Sequence, residues 1–184
     1  SKTSILLQLS VTFNSCGTNF SVSKHTNGLA TLTFTDGNKL QNFSKYSEIY
    51  LGKCNTCSNN SWFNDNFNGF SYDKVLVAGL GFGLIPQELK VTDNCSKIDV
   101  LEIDQELINY INNCNQLDNS INLVQGDIYS YNTSELYDLI IIDTIWDSTQ
   151  MSEVQYQTLE TKYLNNLNSG GVLYTPVKEK WIVK

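Results

Sequence analysis

The stretch Tyr72-Asp-Lys-Val-Leu-Val-Ala-Gly-Leu-Gly-Phe-Gly-Leu-Ile-Pro86 decides the fold of this chain. A short apolar run over residues 75–78 leads into glycines at alternate positions, Gly79, Gly81 and Gly83. An apolar strand that runs into a glycine turn and then a helix is how α/β proteins bring backbone close to a nucleotide-like ligand. Glycine lacks a Cβ, so it permits positive φ and lets a ligand sit against the main chain. The stretch therefore predicts a nucleotide-type binding unit.

Strand and helix patterns alternate from residue 74 onward. The predicted strands cover residues 74–79, 97–103, 121–125, 137–142 and 172–175, with a further strand or a tail over 178–184. The predicted helices begin near Leu84 and span residues 105–116 and 151–168. This alternation predicts a doubly wound, mostly parallel sheet with right-handed crossovers, which is a Rossmann-like α/β fold.

The residues before this unit have a different pattern. Apolar and β-branched residues with turn signals, among them Asp36-Gly37, predict antiparallel β-hairpins over residues 3–43. A short helix is predicted over residues 45–51, capped by Ser44. We therefore expect a β-hairpin region with a short helix at 1–52, a linker at 53–71 and a Rossmann-like domain at 72–184.

Composition and charge exclude several classes of protein. The 184 residues are 41% hydrophobic and 17% charged, with a formal net charge of −7. Non-specific nucleic-acid binding needs clustered Lys and Arg, so an acidic chain argues against it, whereas the charge suits a cationic substrate. No run approaches the roughly 20 apolar residues that cross a bilayer. We expect a soluble, cytoplasmic protein that binds neither nucleic acid nor membrane.

The cysteines and the single histidine argue against metal and nucleophile chemistry. Of the five cysteines, Cys54 and Cys57 form the one close pair, and no second Cys or His pair follows at zinc-finger spacing. The sole histidine, His25, lies far from them in the sequence and leaves no obvious Ser-His or Cys-His pair. Free thiols and no metal are the prediction.

Three carboxylates fall at the ends of predicted strands. Glu102, Asp127 and Asp143 follow three different strands, as the glycine turn follows the first. Ligands of doubly wound sheets bind at the carboxyl ends of the strands, so these groups are expected at one site. A dehydrogenase is disfavoured because its fingerprint places the third glycine where this chain has Leu84. A P-loop is disfavoured because no Gly-Lys-Ser/Thr follows the turn.

These segments resemble the class I S-adenosylmethionine-dependent transferases, and most closely the spermidine synthases (polyamine aminopropyltransferases). The segments that carry the resemblance are Val75-Leu-Val-Ala-Gly-Leu-Gly-Phe-Gly83, Val100-Leu-Glu-Ile-Asp104, Gln125-Gly-Asp127 and Tyr137-Asp-Leu-Ile-Ile-Ile-Asp143. Upstream, Asp36-Gly37, Gln41 and Tyr46-Ser-Glu48 are similar to the hairpin and Tyr-x-Glu segment that precede that family's nucleotide fold. The resemblance covers about residues 29–176.

The resemblance implies a cofactor site for S-adenosylmethionine or its decarboxylated form. Glu102 would hold both ribose hydroxyls, a task suited to a carboxylate with two acceptor oxygens. Asp127 would accept a hydrogen bond from the adenine amino group, and Ile128 would offer its backbone N–H to the ring. The implied cofactor-binding residues are Gly79, Gly81, Gly83, Glu102, Ile103, Asp127, Ile128 and Gln41.

The resemblance also implies a catalytic residue and a substrate pocket. Asp143 would orient an attacking amine and accept its proton, because an amine is protonated at neutral pH and must lose a proton to act as a nucleophile. Asp147 and Tyr46 would bind the rest of a cationic substrate, and Trp146 would line its pocket.

Two departures from the family pattern leave the acceptor open. The family usually has Asp-x-x-Asp followed by Pro, where this chain has Asp143-Thr-Ile-Trp-Asp147. The chain also ends soon after the fifth strand of the nucleotide fold, as if shortened. The leading prediction is aminopropyl transfer to a polyamine-type amine. The alternatives are a methyltransferase with another acceptor and a nucleoside-binding or cofactor-degrading protein without transferase activity. The edges of the hairpin region are candidates for a homodimer surface.

Overall fold

A computed structural model describes most of the second half of the chain and several strands of the first. The described residues are 10–13, 20–25, 29–34, 39–45, 72–81, 83–92, 95–113, 117–144, 151–175 and 180–184. In the first four of these ranges we describe the backbone pairing alone. Among the described residues no helix has the length and apolar character needed to span a membrane.

The chain forms two compact units. One consists of Ser1–Gly69, Gly81–Glu88 and Asp104–Asp118, and the other of Phe70–Leu80, Leu89–Ile103 and Asn119–Lys184. The predicted boundaries near residues 52 and 71 stay a prediction.

The first unit contains a four-stranded antiparallel sheet. Its strands are β1 (Ser10–Phe13), β2 (Phe20–His25), β3 (Leu29–Phe34) and β4 (Lys39–Lys45). They pair in sequence order, each antiparallel to the next, with a register shift between Leu29 and Ala30. Lys45, the first residue of the predicted short helix, is the last residue of β4, so the helix cannot begin there. Residues 46–51 lie outside the described residues.

The second unit contains a six-stranded sheet. Its strands are β5 (Lys74–Ala78), β6 (Lys97–Glu102), β7 (Ile121–Gln125), β8 (Tyr137–Ile142), β9 (Leu167–Thr175) and β10 (Lys180–Val183). Their order is β10-β9-β8-β5-β6-β7, parallel throughout except for β10, which pairs antiparallel with β9. From β5 the chain winds outward through β6 and β7, then returns to β8 on the other side. The prediction of a mostly parallel, Rossmann-like sheet is confirmed.

Three helices are described, α1 (Leu84–Thr92), α2 (Gln105–Asn113) and α3 (Glu153–Leu164). Asp104 caps α2, because its Oδ1 accepts from the backbone N–H groups of Glu106 at 2.9 Å and Leu107 at 3.2 Å. Ser152 caps α3 through a reciprocal capping box with Gln155. Local side-chain chemistry thus fixes where two of the three helices begin.

The segment around Gly170 and Gly171 differs from the prediction. A helix was predicted over residues 151–168, but α3 already ends at Leu164, and Gly170 and Gly171 lie inside β9. The pairing of β8 with β9 jumps from Tyr137–Leu167 to Leu139–Val172, so β9 carries additional residues at an irregularity. Gly170 has a φ of +79°. A glycine with positive φ at an irregularity in strand pairing is typical of a β-bulge.

The core on one face of the second unit lies between the sheet and α3. Its buried residues are Leu76, Ala78, Leu101, Ile128, Tyr137, Ile140, Ile142, Met151, Tyr156, Leu159, Tyr163, Leu167 and Leu173. Val154, an apolar residue of α3, is 72% exposed, whereas Tyr156 is buried. The helix contributes its core contacts through Tyr156, Leu159 and Tyr163, at spacings of three and four residues.

Candidate functional site

Four strand ends meet at the carboxyl edge of the six-stranded sheet. Backbone hydrogen bonds continue the pairing past the strands: Gly79 N–H donates to the Leu101 carbonyl at 2.8 Å, and Asp143 N–H donates to the Ala78 carbonyl at 2.8 Å. Gly126 N–H likewise donates to the Glu102 carbonyl at 2.9 Å. Gly79, Glu102 and Asp143, all of the second unit, are therefore held side by side by main-chain geometry.

The strand order reverses between β5 and β8, and Gly79 and Asp143 are the first residues after these two strands. In open α/β sheets a crevice forms at such a reversal, because the connections from the two neighbouring strands leave in opposite directions. The arrangement places the glycine turn and one carboxylate on the two sides of this point.

Gly79 fills a position that no other residue fits. Its φ is +101°, and a Cβ built there would lie 2.1 Å from the backbone carbonyl oxygen of Asp143 and 2.8 Å from the carbonyl carbon. Those contacts are with backbone, which cannot rotate away. The missing Cβ thus lets the glycine turn pack directly against the main chain of Asp143.

The other two glycines of the turn also have positive φ, +54° at Gly81 and +78° at Gly83. Both belong to the first unit, whereas Gly79 belongs to the second. A Cβ at Gly83 would lie 2.5 Å from a methyl carbon of Leu117. The backbone conformation alone thus accounts for glycine at all three positions. Contact between these glycines and a cofactor stays a prediction.

The side chain of Glu102 is hydrogen-bonded to the backbone at the start of the glycine turn. Its side chain is buried, with the residue 9% exposed, and Oε1 accepts from the backbone N–H of Leu80 at 3.2 Å. The next residue, Ile103, is 61% exposed despite its apolar side chain, and its carbonyl accepts from Gln125 Nε2 at 3.0 Å. The end of β6 thus presents a carboxylate beside the turn and an apolar surface next to it.

Asp127 organises the turn after β7. Its Oδ1 accepts from Tyr129 N–H at 2.9 Å, and its carbonyl accepts from Ser130 N–H at 3.1 Å and Tyr131 N–H at 2.8 Å. Ile128 is buried, and its carbonyl accepts from the Tyr163 hydroxyl. Asp127 therefore has a structural role in this turn, which fixes the direction of its own carboxylate.

Asp143 has an unusual carboxyl group. Burial raises its pKa from the ordinary 3.8 to about 6, although the residue keeps partial solvent exposure. Within the described part of the chain, burial is the only cause of the raised pKa, and no cation there opposes it. A carboxylate in this state favours a bound cation or a proton, because either one neutralises a charge that water solvates poorly.

Similarity to known proteins is seen in structure rather than in sequence. The sequence matches no protein family and no curated protein. The DhpI-SAM-HEP complex is similar with a TM-score of 0.53 and 13% identity, over 64% of this chain and 53% of that one. The glycopeptide N-methyltransferase MtfA complexed with (S)-adenosyl-L-methionine is similar with a TM-score of 0.50 and 17% identity, over 64% and 52%. The N-methyltransferase NodS from Bradyrhizobium japonicum WM9, in complex with S-adenosyl-L-homocysteine, has a TM-score of 0.49 and 19% identity, over 62% and 57%.

The fold is Rossmann-like, of the methyltransferase type. At such low identities the similarity concerns the fold alone, and this chain spans a little more than half the length of each of these proteins. For a Rossmann-like sheet, the carboxyl edge at the strand reversal is the expected ligand site. That edge carries six of the predicted site residues, all in the second unit, namely Gly79, Glu102, Ile103, Asp127, Ile128 and Asp143.

The structure does not test the predicted roles of four site residues. Gln41 lies in β4 of the first unit, where we describe the backbone alone. Tyr46, Trp146 and Asp147 lie outside the described residues. The substrate side of the prediction therefore stays a prediction.

One residue at this edge was not predicted to have a role. Thr175 closes β9 and is 0% exposed, and among the residues that the structure describes its hydroxyl has no hydrogen-bond partner. The sequence places a polar residue at the end of the apolar strand 172–175, which was the available signal. Because Thr is common in strands, that signal does not separate a functional hydroxyl from ordinary strand composition.

Proposed function

We propose that this protein is an S-adenosylmethionine-dependent methyltransferase whose acceptor is an amine nitrogen. The observation that carries the proposal is the pairing of the glycine turn with Asp143 at the strand reversal, with Glu102 on the neighbouring strand. A nucleoside and a nucleophile that bind at this strand reversal would lie next to each other at the same edge of the sheet.

The nucleoside would bind on the β6 and β7 side of the reversal. Glu102 already accepts from Leu80 N–H at the glycine turn, and its carboxylate would accept from the ribose hydroxyls of a nucleoside bound there. The exposed side chain of Ile103 offers an apolar surface on which an adenine ring can pack. Asp127 follows on the next strand, where an amino group of the base would find an acceptor.

Asp143 would act on the acceptor. The ammonium form of the acceptor would first lose a proton to Asp143. The neutral amine would then attack the methyl carbon, the bond between that carbon and the sulfonium sulfur would break, and the sulfur would keep the electron pair, leaving a methylated ammonium and a neutral thioether. With a pKa of about 6 the carboxylate is mostly ionised at pH 7 and close enough to neutrality to exchange protons.

The structural comparisons support an amine acceptor and intact cofactor. MtfA is a glycopeptide N-methyltransferase and was observed with (S)-adenosyl-L-methionine. The net charge of −7 also suits a cationic acceptor and the cationic sulfonium.

Aminopropyl transfer is the second candidate. The segments Val100-Leu-Glu-Ile-Asp104 and Gln125-Gly-Asp127 favour it, because they are most similar to spermidine synthases. The same in-line displacement at a sulfonium carbon would use decarboxylated S-adenosylmethionine and attack the propyl carbon instead of the methyl carbon. The roles of Glu102 and Asp143 would be unchanged.

Calorimetry with four ligands tests the proposal. We expect S-adenosylmethionine and S-adenosylhomocysteine to bind more tightly than decarboxylated S-adenosylmethionine and methylthioadenosine. The reverse preference, with turnover of putrescine, would support aminopropyl transfer. Binding without turnover of any amine would leave a nucleoside-binding protein, and no binding at all would refute every form of the proposal.

Glu102→Gln provides the residue-level test. Charge-assisted hydrogen bonds contribute about 1.5–3 kcal/mol, so losing the charge should weaken S-adenosylhomocysteine binding about 10- to 100-fold. Glu153→Gln is a matched control, since it removes the same charge from an exposed residue of α3. Equal affinities of the two variants would remove Glu102 from the site.

A further inference from the structure

The main chain turns at Ile103, directly after β6. Along a strand of a parallel sheet, successive carbonyls point alternately to the two neighbouring strands. The Glu102 carbonyl accepts from Gly126 N–H just after β7, so the next carbonyl of a continued strand would point away from β7. The Ile103 carbonyl instead accepts from the side chain of Gln125, which belongs to β7. The backbone has therefore left the strand direction at Ile103.

The register of the sheet places Gln125 for this contact. Gln125 is the last residue of β7 and pairs with Glu102, the residue before Ile103. Its Nε2 donates to the Ile103 carbonyl at 3.0 Å, and both residues are exposed. The pairing of β6 with β7 ends at Glu102 and Gln125, so a side-chain amide continues the hydrogen bonding between these strands where the backbone ladder stops.

The turn directs an apolar side chain toward solvent. Ile103 is 61% exposed, although Leu101 and Glu102 directly before it are buried. An apolar side chain beside a buried carboxylate suits a ligand that has a flat apolar ring next to hydroxyl groups. The direction of the Ile103 side chain depends on the turn of its backbone, and the hydrogen bond from Gln125 is a contact that fixes this turn.

We propose that Gln125 is a positioning residue, which holds the main chain of Ile103 so that its side chain is already in place to pack against a bound base. The inference rests on the proposed function, in which Ile103 packs against adenine. A hydrogen bond that exists before the ligand binds reduces the conformational freedom that binding must remove, so it raises affinity without contact to the ligand. Gln125 therefore acts through Ile103, and its effect on affinity requires the Ile103 side chain.

A double-mutant cycle tests this dependence. Gln125→Met keeps the length of the side chain and removes the donor, whereas Ile103→Ala removes the apolar surface and keeps the carbonyl. In calorimetry with S-adenosylhomocysteine, we expect Gln125→Met to weaken binding about three- to tenfold and Ile103→Ala about tenfold. The double variant should bind within about twofold of Ile103→Ala alone. Gln157→Met is the matched control, because Gln157 is exposed on α3, and it should leave the affinity unchanged.

Gln125→Glu provides a second variant, because a carboxylate replaces the donor by an acceptor that repels the Ile103 carbonyl. At pH 7 it should weaken binding of S-adenosylhomocysteine at least as much as Gln125→Met. Unchanged affinity in Gln125→Met or in Ile103→Ala would overturn the proposal. Effects that multiply in the double variant would overturn it as well, since a residue that contacts the ligand itself acts independently of Ile103.

Thermal unfolding without ligand separates positioning from a structural role. The hydrogen bond is exposed, so Gln125→Met should unfold within about 4 °C of wild type. A larger fall in Tm would show that Gln125 supports the fold and would overturn the proposal. Failure of the proposed function is recognised separately, by wild type that does not bind S-adenosylhomocysteine or by unchanged affinity in Glu102→Gln.

Discussion

Replacing Asp143 by Asn should abolish methyl transfer and stabilise the ligand-free protein. Burial raises the pKa of this carboxyl from 3.8 to about 6, which means that folding disfavours its ionised form. Two pKa units correspond to about 3 kcal/mol at neutral pH. Because the residue keeps partial solvent exposure, screening reduces this to about 1–2 kcal/mol. For a chain of this length that is a rise in Tm of about 2–8 °C.

The gain in stability expected for Asp143→Asn depends on pH, and the sign of that dependence follows from the raised pKa. The folded protein binds the proton on Asp143 more tightly than the unfolded chain does, so the contribution of Asp143 to wild-type stability falls as pH rises from 3.8 to about 6 and is level above that. Asn does not titrate, so the variant lacks this fall. The advantage of Asp143→Asn should therefore be fully present above about pH 6 and absent below about pH 4.

Asp138 on the same strand provides a control of opposite sign. Its carboxylate accepts from Asp73 N–H at 3.1 Å, from Lys74 N–H at 2.9 Å and from Asn168 Nδ2 at 2.9 Å. Burial acts to raise its pKa, but these hydrogen bonds outweigh burial and lower it. Asp138→Asn should cost about 1.5–3 kcal/mol at pH 7, and the cost should shrink as pH falls through the lowered pKa.

Thermal and urea unfolding of wild type and both variants, measured from pH 3.5 to pH 8, tests these two predicted pH dependences. S-adenosylhomocysteine affinity should survive in Asp143→Asn while turnover falls. Lower stability of Asp143→Asn than of wild type at pH 7 would refute the inference that ionised Asp143 destabilises the folded protein. A gain in stability that does not change with pH would refute it as well. Unchanged turnover would remove Asp143 from the mechanism.

Three further substitutions follow from contacts in the second unit. Gly79→Ala should cost at least about 2 kcal/mol in urea unfolding, because its Cβ meets the Asp143 carbonyl at positive φ, and a neutral effect would contradict this geometry. Tyr137→Phe should cost about 1.5–3 kcal/mol, since Tyr137 donates to the buried Asp99 carboxylate at 2.6 Å, and a Tm equal to that of wild type would show the bond to be dispensable. Ser152→Ala should cost about 1 kcal/mol by removing the cap of α3, with Ser152→Thr close to wild type.

The parallel sheet was predictable because its signals are local. Each apolar run from β5 to β8 is bounded by polar or turn residues, so the strand bounds follow from the sequence to within one residue. The position of the site follows as well, since parallel strands bring their carboxyl ends to one edge. Glu102 and Asp143 meet the glycine turn for that reason alone.

The segment between α3 and β9 was not predictable in the same way. Whether Gly170 ends a helix or forms a bulge depends on where β9 pairs with β8, and that partner lies about 30 residues earlier in the chain. Val154 likewise fits a helical apolar pattern but faces solvent, because tertiary packing selects Tyr156 instead. Local patterns specify the type of element, while long-range pairing decides its ends and its buried face.

Three carboxylates of the six-stranded sheet differ in how well their charge is stabilised. Asp138 accepts three hydrogen bonds, and Asp99 accepts from Tyr137 at 2.6 Å and from Asn122 at 3.0 Å. At the carboxyl edge, burial raises the pKa of Asp143, so the ionised form of that side chain is unfavourable.

Other carboxylates of this sheet are stabilised by hydrogen bonds, so the unfavourable burial of the Asp143 carboxylate needs an explanation beyond folding. Stability alone would favour Asn or an apolar residue at position 143. A ligand that supplies a positive charge to Asp143 would offset the cost of its burial. Asp143→Asn should therefore raise the stability of the ligand-free protein and lower its affinity for the acceptor amine, and these opposite effects distinguish a binding site from a poorly packed end of a sheet.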